Sequence, residues 1–410
     1  MATTRRKPTL TPAEARQLHQ EALVIDSQQP GATGGMLFND NMKAALDEYV
    51  REGLSRAQIR ALLREMAVKE VQTSADARRE YLGIWETSGV NVASATYAGP
   101  IAPDLALQES LTTMTQARAM IDALEDDVRL VLTADDIERV YKDGKRGVIF
   151  DFQDTTPFGS DLGRIELFRN LGLRVVQLTY NLRNLVGDGC TERYKTGLTY
   201  YGIEVIGRLN ELNMAVDVSH CSQQVGWDAI EASTSPVIIT HSASNAICYH
   251  DRGKGDELAK AIADQGGYFG VAAIGGFLSE TTEATLDHFV DHVEHLVDVM
   301  GMDHVGIGCD KCGPGPGTES NVLFPDELGP FETSYLYKDN PDPRSAPAGF
   351  DWTGFRPEHR LSDEHRIDGF DQFTDWPNIT AKLAERGFNE EELRKLLGLN
   401  YLRVFRDIVG

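Results

Sequence analysis

One pattern constrains this chain more than any other: a short apolar, β-branched run followed by a longer stretch of helical periodicity, repeated eight times. The runs are ALVID (22–26), VNVASATYA (90–98), GVIFDFQ (147–153), RVVQLTY (174–180), MAVDVSH (214–220), PVIITHS (236–242), YFGVAAI (268–274) and HVGIGCD (304–310). Between them stand amphipathic stretches such as ARREYLGIWETSG, YYGIEVIGRLNELN and TLDHFVDHVEHLVDVMG. Parallel neighbouring strands need a long crossover, so strands alternating with helices predict βαβ units. Eight units fit a closed α/β barrel, the (β/α)8 or TIM fold, better than an open sheet.

The 410 residues read as a single barrel domain with embellishments. Residues 1–20 predict a polar, helix-like N-terminal arm, and 31–88 a long helical excursion. Residues 311–370 are rich in Pro, Gly and aromatics and include GPGPG at 313–317. A connection of that length predicts a lid or an interface rather than a passive link. Residues 371–410 predict C-terminal helices packed on the barrel.

Charge and cysteine usage remove several functions. Forty basic against 63 acidic residues leave a net charge of −23, which repels nucleic acid and anionic membranes. No run of about 18 apolar residues occurs, and the basic N-terminus lacks the apolar segment of a secretory signal. A cytoplasmic location is the resulting expectation. The five cysteines, an odd number spread from Cys190 to Cys312, do not form the framework of a small secreted domain. Cys309 and Cys312 make a lone C-x-x-C, read as reduced thiols, and Cys221 is read as core. Neither a G-x-x-x-x-G-K-[ST] nor a strand-linked G-x-G-x-x-G is present. His288, His292 and His295 share a helix face and read as a packing or solvated face.

In such a barrel the chemistry sits at the C-terminal ends of the strands. Taking His220 and His241 as inward-facing, period-2 alternation predicts a rim of Asp26, Gln28, Tyr97, Asp151, Gln153, Tyr180, His220, His241 and Asp310. Imidazoles on adjacent strands facing a carboxylate suit a first-row divalent metal, zinc above all, that activates water.

Several segments together resemble the membrane (renal) dipeptidase family. VDVSH and PVIITHS are similar to its two metal-binding histidine strands, and LGLRVVQLTYNLRN to its fourth-strand signature. HDRGKGDELAKAIADQGG looks like its substrate-binding arginine loop, carrying Arg252, and HVGIGCD like its last strand, carrying Asp310. The match runs in order from about Ala22 to the C-terminus. It implies a barrel of the metal-dependent hydrolase type that cleaves dipeptides or similar N-acyl amino acids. It further implies metal ligation by His220 and His241, a catalytic Asp310, a substrate-binding Arg252 and a possible homodimer.

The sequence departs from the family at one half of the site. Gln28 and Pro30 stand where the resemblance places a His-x-Asp, Gln153 where it places a bridging carboxylate, and Tyr180 where it places a substrate-contacting histidine. An amide supplies no charge and is a poor bridge between two dications. One metal per chain is therefore expected rather than two. His220, His241 and Asp310 are the expected ligands, with Asp151, Gln153 and Asp26 in support and Tyr180 as an oxyanion donor and substrate contact. Two other readings stay open: a one-metal barrel performing a different C–N hydrolysis or lyase step, and a non-catalytic ligand-binding barrel.

Overall fold

A computed structural model describes residues 7–54, 56–100, 102–311, 353–361 and 366–410. Eight parallel strands run in the order of the chain: β1 (Ile25–Asp26), β2 (Val92–Thr96), β3 (Arg146–Phe152), β4 (Leu173–Gln177), β5 (Ala215–Asp217), β6 (Val237–Ser242), β7 (Tyr268–Val271) and β8 (Val305–Ile307). Six of the predicted runs contain their strand, and the other two, at 147–153 and 174–180, begin one residue inside it. The first and last strands meet through the Ser27 amide, which donates to the Ile307 carbonyl at 3.0 Å, and the Asp310 amide, which donates to the Gln28 carbonyl at 2.8 Å. A short strand missed by the sequence reading, Val128–Leu130, pairs with the first half of β3 before β4 takes over that edge. Its three residues carry too little period-2 pattern to stand out from the helices on either side.

Local chemistry sets the ends of many elements. Thr11 and Glu14 form a capping box on Pro12–Glu21, and Thr133 and Asp136 form another on Ala134–Lys142. Gly89 and Gly172 end their helices in the left-handed conformation, which costs a residue without Cβ nothing. The N-terminal helix is more than a polar arm: Ala15, Leu18 and His19 are buried, and it packs along Trp376–Glu385. The excursion at 31–88 carries three helices, Asp40–Arg51, Arg56–Thr73 and Ala75–Ser88.

The barrel interior is filled rather than hollow. Ile25, Val92, Ile149, Val175, Ala215, Ile238 and Tyr268 point into it and join one cluster with Tyr401, Phe405 and Ile408 of the last helix. That helix, Asn400–Val409, plugs the N-terminal end, so the opposite end alone is left for chemistry. One side of the interior is pinched. The Ser27 hydroxyl crosses to the Thr240 carbonyl at 2.7 Å, passing Gly270 and Gly308. A Cβ on Gly270 would lie 2.1 Å from that carbonyl and 2.6 Å from the Ser27 hydroxyl. Gly270→Ala is expected to cost about 3 kcal/mol or more by overpacking, read as a lowered urea midpoint. An unchanged midpoint would show that the strands have room to part.

Candidate functional site

β6 holds the key irregularity. Its register against β7 jumps between Ile239 and Ser242, a bulge that spends an extra residue at Thr240–His241. Thr240 keeps the inward parity of Ile238, and His241 is turned to the mouth as well. On the neighbouring strand Asp217 faces inward, and the chain turns through Ser219 to deliver His220 to the same place. The Nε2 atoms of His220 and His241 lie 2.9 Å apart, and both rings are buried.

Hydrogen bonds fix which nitrogen of each ring carries the proton. Asn181 donates its amide NH2 to the Thr353 carbonyl at 2.7 Å, which turns its oxygen toward His220. His220 Nδ1–H therefore donates to that oxygen at 2.8 Å. Thr240 spends its hydroxyl proton on Asp217 at 2.5 Å, so its oxygen accepts from His241 Nδ1–H at 2.8 Å. Burial and the Arg252 cation hold both imidazoles neutral, well below the ordinary histidine range. Each Nε2 is left with a lone pair, and the two lone pairs face one another. Such a pair repels itself unless a cation lies between, so the donor set fits a metal ion.

Asp217 is the post behind this arrangement, and the rim prediction omitted it. Its carboxylate accepts from the Ser219 amide and hydroxyl and from the Thr240 amide and hydroxyl, at 2.5–3.2 Å. Continuing the inward parity of Ala215 by one step would have found it.

The predicted residues divide. Asp310 is part-exposed at the mouth with Oδ2 3.9 Å from His241 Nε2, and its φ of +56° holds it in the left-handed region. Tyr180 stacks on His220 with ring centroids 4.1 Å apart, and Phe355 meets its edge. Gln28 and Gln153 also reach the mouth. Both donate their side-chain NH2 to the Thr96 hydroxyl, at 2.6 and 3.0 Å, and Thr96 passes its proton to Asp151 at 2.8 Å. Asp151 is buried and also accepts from Ser94 at 2.8 Å. Among the described residues no group of three or more His, Cys, Asp or Glu side chains converges as a ready metal cage.

Three expectations are corrected. Asp26 faces away from the mouth: it accepts from the Cys309 amide and thiol and from the Trp376 indole, at 2.6–2.9 Å. Ile25 and Ser27 take the inward positions of β1, so the parity inferred from the two histidines was off by one residue there. Tyr97 likewise turns outward, with its ring on Phe150 and its hydroxyl toward Thr33. Arg252 is fully buried behind the histidines rather than poised over the mouth. Its guanidinium donates to the Ser219 carbonyl at 2.5 Å and the His241 carbonyl at 3.1 Å, which ties together the two ends that carry the ligands.

The remaining motifs behave as packing. His292 is buried and accepts from the Ser244 amide, His288 caps its own helix, and His295 meets Asp256. Cys221 lies in the outer core, and Cys309 is a buried thiol on Asp26. Cys312, GPGPG and the rest of 312–352 and 362–365 lie outside the described residues. Residues 353–361 pack at the mouth, through Thr353, Phe355 and the His359–Asp251 contact at 3.3 Å. No helix among the described residues is long and apolar enough to cross a membrane.

Burial lifts Asp151 to about 7, from the 3.8 of an ordinary aspartate. Between those values the folded protein keeps a proton that the unfolded chain releases, so this group costs stability as pH rises through the window. Asp151→Asn removes that cost. In chelator-treated protein, the variant's stability relative to the natural chain should rise by about 2–3 kcal/mol from pH 5 to pH 8. A difference that stays constant across this range would mean Asp151 is ionised throughout.

Neutral imidazoles on adjoining strand ends of a plugged parallel barrel, with a carboxylate beside them, place this chain among the (β/α)8 barrels of the metal-dependent hydrolase type. Within that class it belongs to the membrane dipeptidase family, peptidase family M19, whose sequence profile matches residues 14–319 and 348–409. It is 24% identical over 305 residues to the dipeptidase tcpJ of Claviceps purpurea, covering 74% of this chain. The match spans only 60% of that relative's own length. Among solved structures it is similar to an amidohydrolase from Pseudomonas aeruginosa, with 26% identity, a TM-score of 0.70, and coverage of 98% of this chain and all of that one. A metallopeptidase from Rhodobacter sphaeroides, liganded with a phosphinate mimic of the dipeptide L-Ala-D-Ala, shares the fold at 17% identity. Its TM-score is 0.65, over 94% of this chain and 99% of its own.

Proposed function

We propose that this chain is a one-metal amide hydrolase acting on a dipeptide or a similar small N-acyl amino acid. The observation that carries the reading is the pair of facing Nε2 acceptors on His220 and His241, each locked by a hydrogen bond at its other nitrogen. Family membership supports it, as do the relative named a dipeptidase and the structural neighbour that holds a dipeptide mimic.

His220, His241 and Asp310 would hold the ion, zinc by the nature of the donors. A bound divalent ion of this kind lowers the pKa of water and polarises a carbonyl. The rest falls to side chains. Asp310 accepts the proton of the attacking water and returns it to the departing amine. Tyr180 keeps the His220 ring in place by stacking and offers a phenol to the developing oxyanion. Arg252 acts from behind, because clamping a substrate carboxylate would require breaking its bonds to the Ser219 and His241 carbonyls. Gln28 and Gln153 fill the other half of the mouth with neutral amides, which favours one ion over two.

The test is a panel of dipeptides assayed with zinc and again after chelation. Zinc-dependent release of free amino acids is the expected result. The reading falls if the zinc-loaded protein leaves the whole panel intact. Turnover of another C–N substrate alone would then favour a changed reaction on the same ligands.

A further inference from the structure

The helix Arg56–Thr73 carries two adjacent stripes, each stepping by four residues. Ile59, Leu63, Ala67 and Val71 are buried in the core. Arg60, Arg64 and Val68 line one wall of a cavity of about 60 Å³. Gly31, Thr33, Gly34 and Gly35 of one turn also line it, as does Thr96. Thr96 is the residue on which Gln28 and Gln153 converge, so the cavity adjoins the substituted half of the mouth through it.

The cavity is constructed by the chain. A Cβ on Gly35 would lie 2.9 Å from Gly31 Cα, and one on Gly34 would lie 3.4 Å from the Arg64 carbonyl. The Gly35 contact is too close for a side chain, so the turn depends on glycine there, while the Gly34 distance is ordinary van der Waals contact with the helix. The Tyr81 hydroxyl anchors it from outside through the Ala32 carbonyl at 2.6 Å. Two arginines one turn apart repel each other, and Glu109 is the carboxylate whose field reaches Arg64. Tyr97 and Thr113 add hydroxyl groups to the lining. In a chain of net charge −23, gathering guanidinium groups beside the mouth is a local reversal of sign.

We propose that this cavity receives a carboxylate of the ligand and gives the site a preference for small acidic molecules, such as a dipeptide with a glutamate or aspartate side chain. The planar guanidinium fork is the natural donor for a carboxylate. That the acidic molecule is also cleaved rests on the hydrolase reading above; the preference for an anion does not.

Calorimetric titration of the full chain with glutarate, and with the neutral isostere glutaramide, tests the cavity directly. Glutarate is expected to bind at least tenfold more tightly than glutaramide. Arg64→Gln should remove that margin, and Arg64→Lys should restore part of it, at unchanged circular dichroism. Arg60→Gln is the second variant and should act in the same direction. The same substitutions should lower the ratio of kcat/KM for alanylglutamate over alanylglutamine about tenfold. Equal binding of the two probes, or a margin indifferent to both arginines, overturns the proposal. If dipeptides turn over without an acidic preference and glutarate does not bind, the cavity proposal falls and the hydrolase reading stands. If glutarate binds through Arg64 and no dipeptide is cleaved, the reverse holds.

Discussion

Replacing His220 with alanine is expected to take bound zinc from one ion per chain to none and to lower dipeptide hydrolysis by about a thousandfold or more. The magnitude follows from the several kcal/mol that a metal contributes to a developing oxyanion, at 1.36 kcal/mol for each factor of ten. The loss should not be a loss of fold. His220 gives up one hydrogen bond to Asn181 and its stacking on Tyr180, while the Arg252 ties to the Ser219 and His241 carbonyls remain. Elemental analysis of the natural and variant proteins, purified without added metal, decides the matter. Two ions in the natural protein would mean that Gln28 and Gln153 ligate after all. A variant that keeps stoichiometric zinc and full activity would remove the histidine pair from the chemistry.

Asp217 should be nearly as sensitive, by a different route. Asp217→Ala strands four buried donors, the amides and hydroxyls of Ser219 and Thr240, each costing about 1–3 kcal/mol when left unpaired. These costs do not add fully, and a total of about 4 kcal/mol or more is expected. Asp217→Asn is the sharper experiment. An amide presents its own N–H to one hydroxyl, and if that is Thr240, the hydroxyl must accept there and donate to His241 instead. His241 would then carry its proton on Nε2, with no lone pair left for a metal. Zinc affinity should fall about 10–100-fold, the usual effect of losing the support behind a ligand. The ¹⁵N shifts of the His241 ring should report the exchanged tautomer. The same tautomer with the same affinity would reduce Asp217 to a packing role.

The barrel was legible because its signal is redundant: eight β-branched runs separated by helical periods leave few alternatives. The site was legible only in part, for a geometric reason. Period-2 alternation holds within a strand and fails where the strand ends or bulges, which is where a barrel keeps its chemistry. His241 faces the mouth because β6 gains a residue at the bulge, and His220 because the chain turns after Asp217. Extending their parity to β1 selected Asp26, which belongs to the outer layer, and passed over Ser27. Asn181 acts through a neighbour from a loop, where no spacing in the chain marks it, while Asp217 was passed over because the parity was taken from His220, beyond the turn that follows the strand. Arg252 shows a further limit: a motif fixes where an arginine sits in the chain, but not which side of the ligands its guanidinium faces.

The outward turn of Asp26 has a consequence for how the molecule comes into being. This carboxylate, near the start of the chain, has one local partner, the Gln28 amide, and finds the others at Cys309 and Trp376, separations of 283 and 350 residues. As the chain leaves the ribosome, the first strand must wait for nearly the whole sequence before its buried anion is satisfied. Until then burial would leave Asp26 with the Gln28 amide alone, so an early half-barrel gains little by sealing itself. Assembly is thereby tied to contacts of the longest range in the fold, the kind that slow folding and discourage stable fragments. Loss of the final 35 residues should leave a nascent barrel in the care of chaperones, with its first strand unseated.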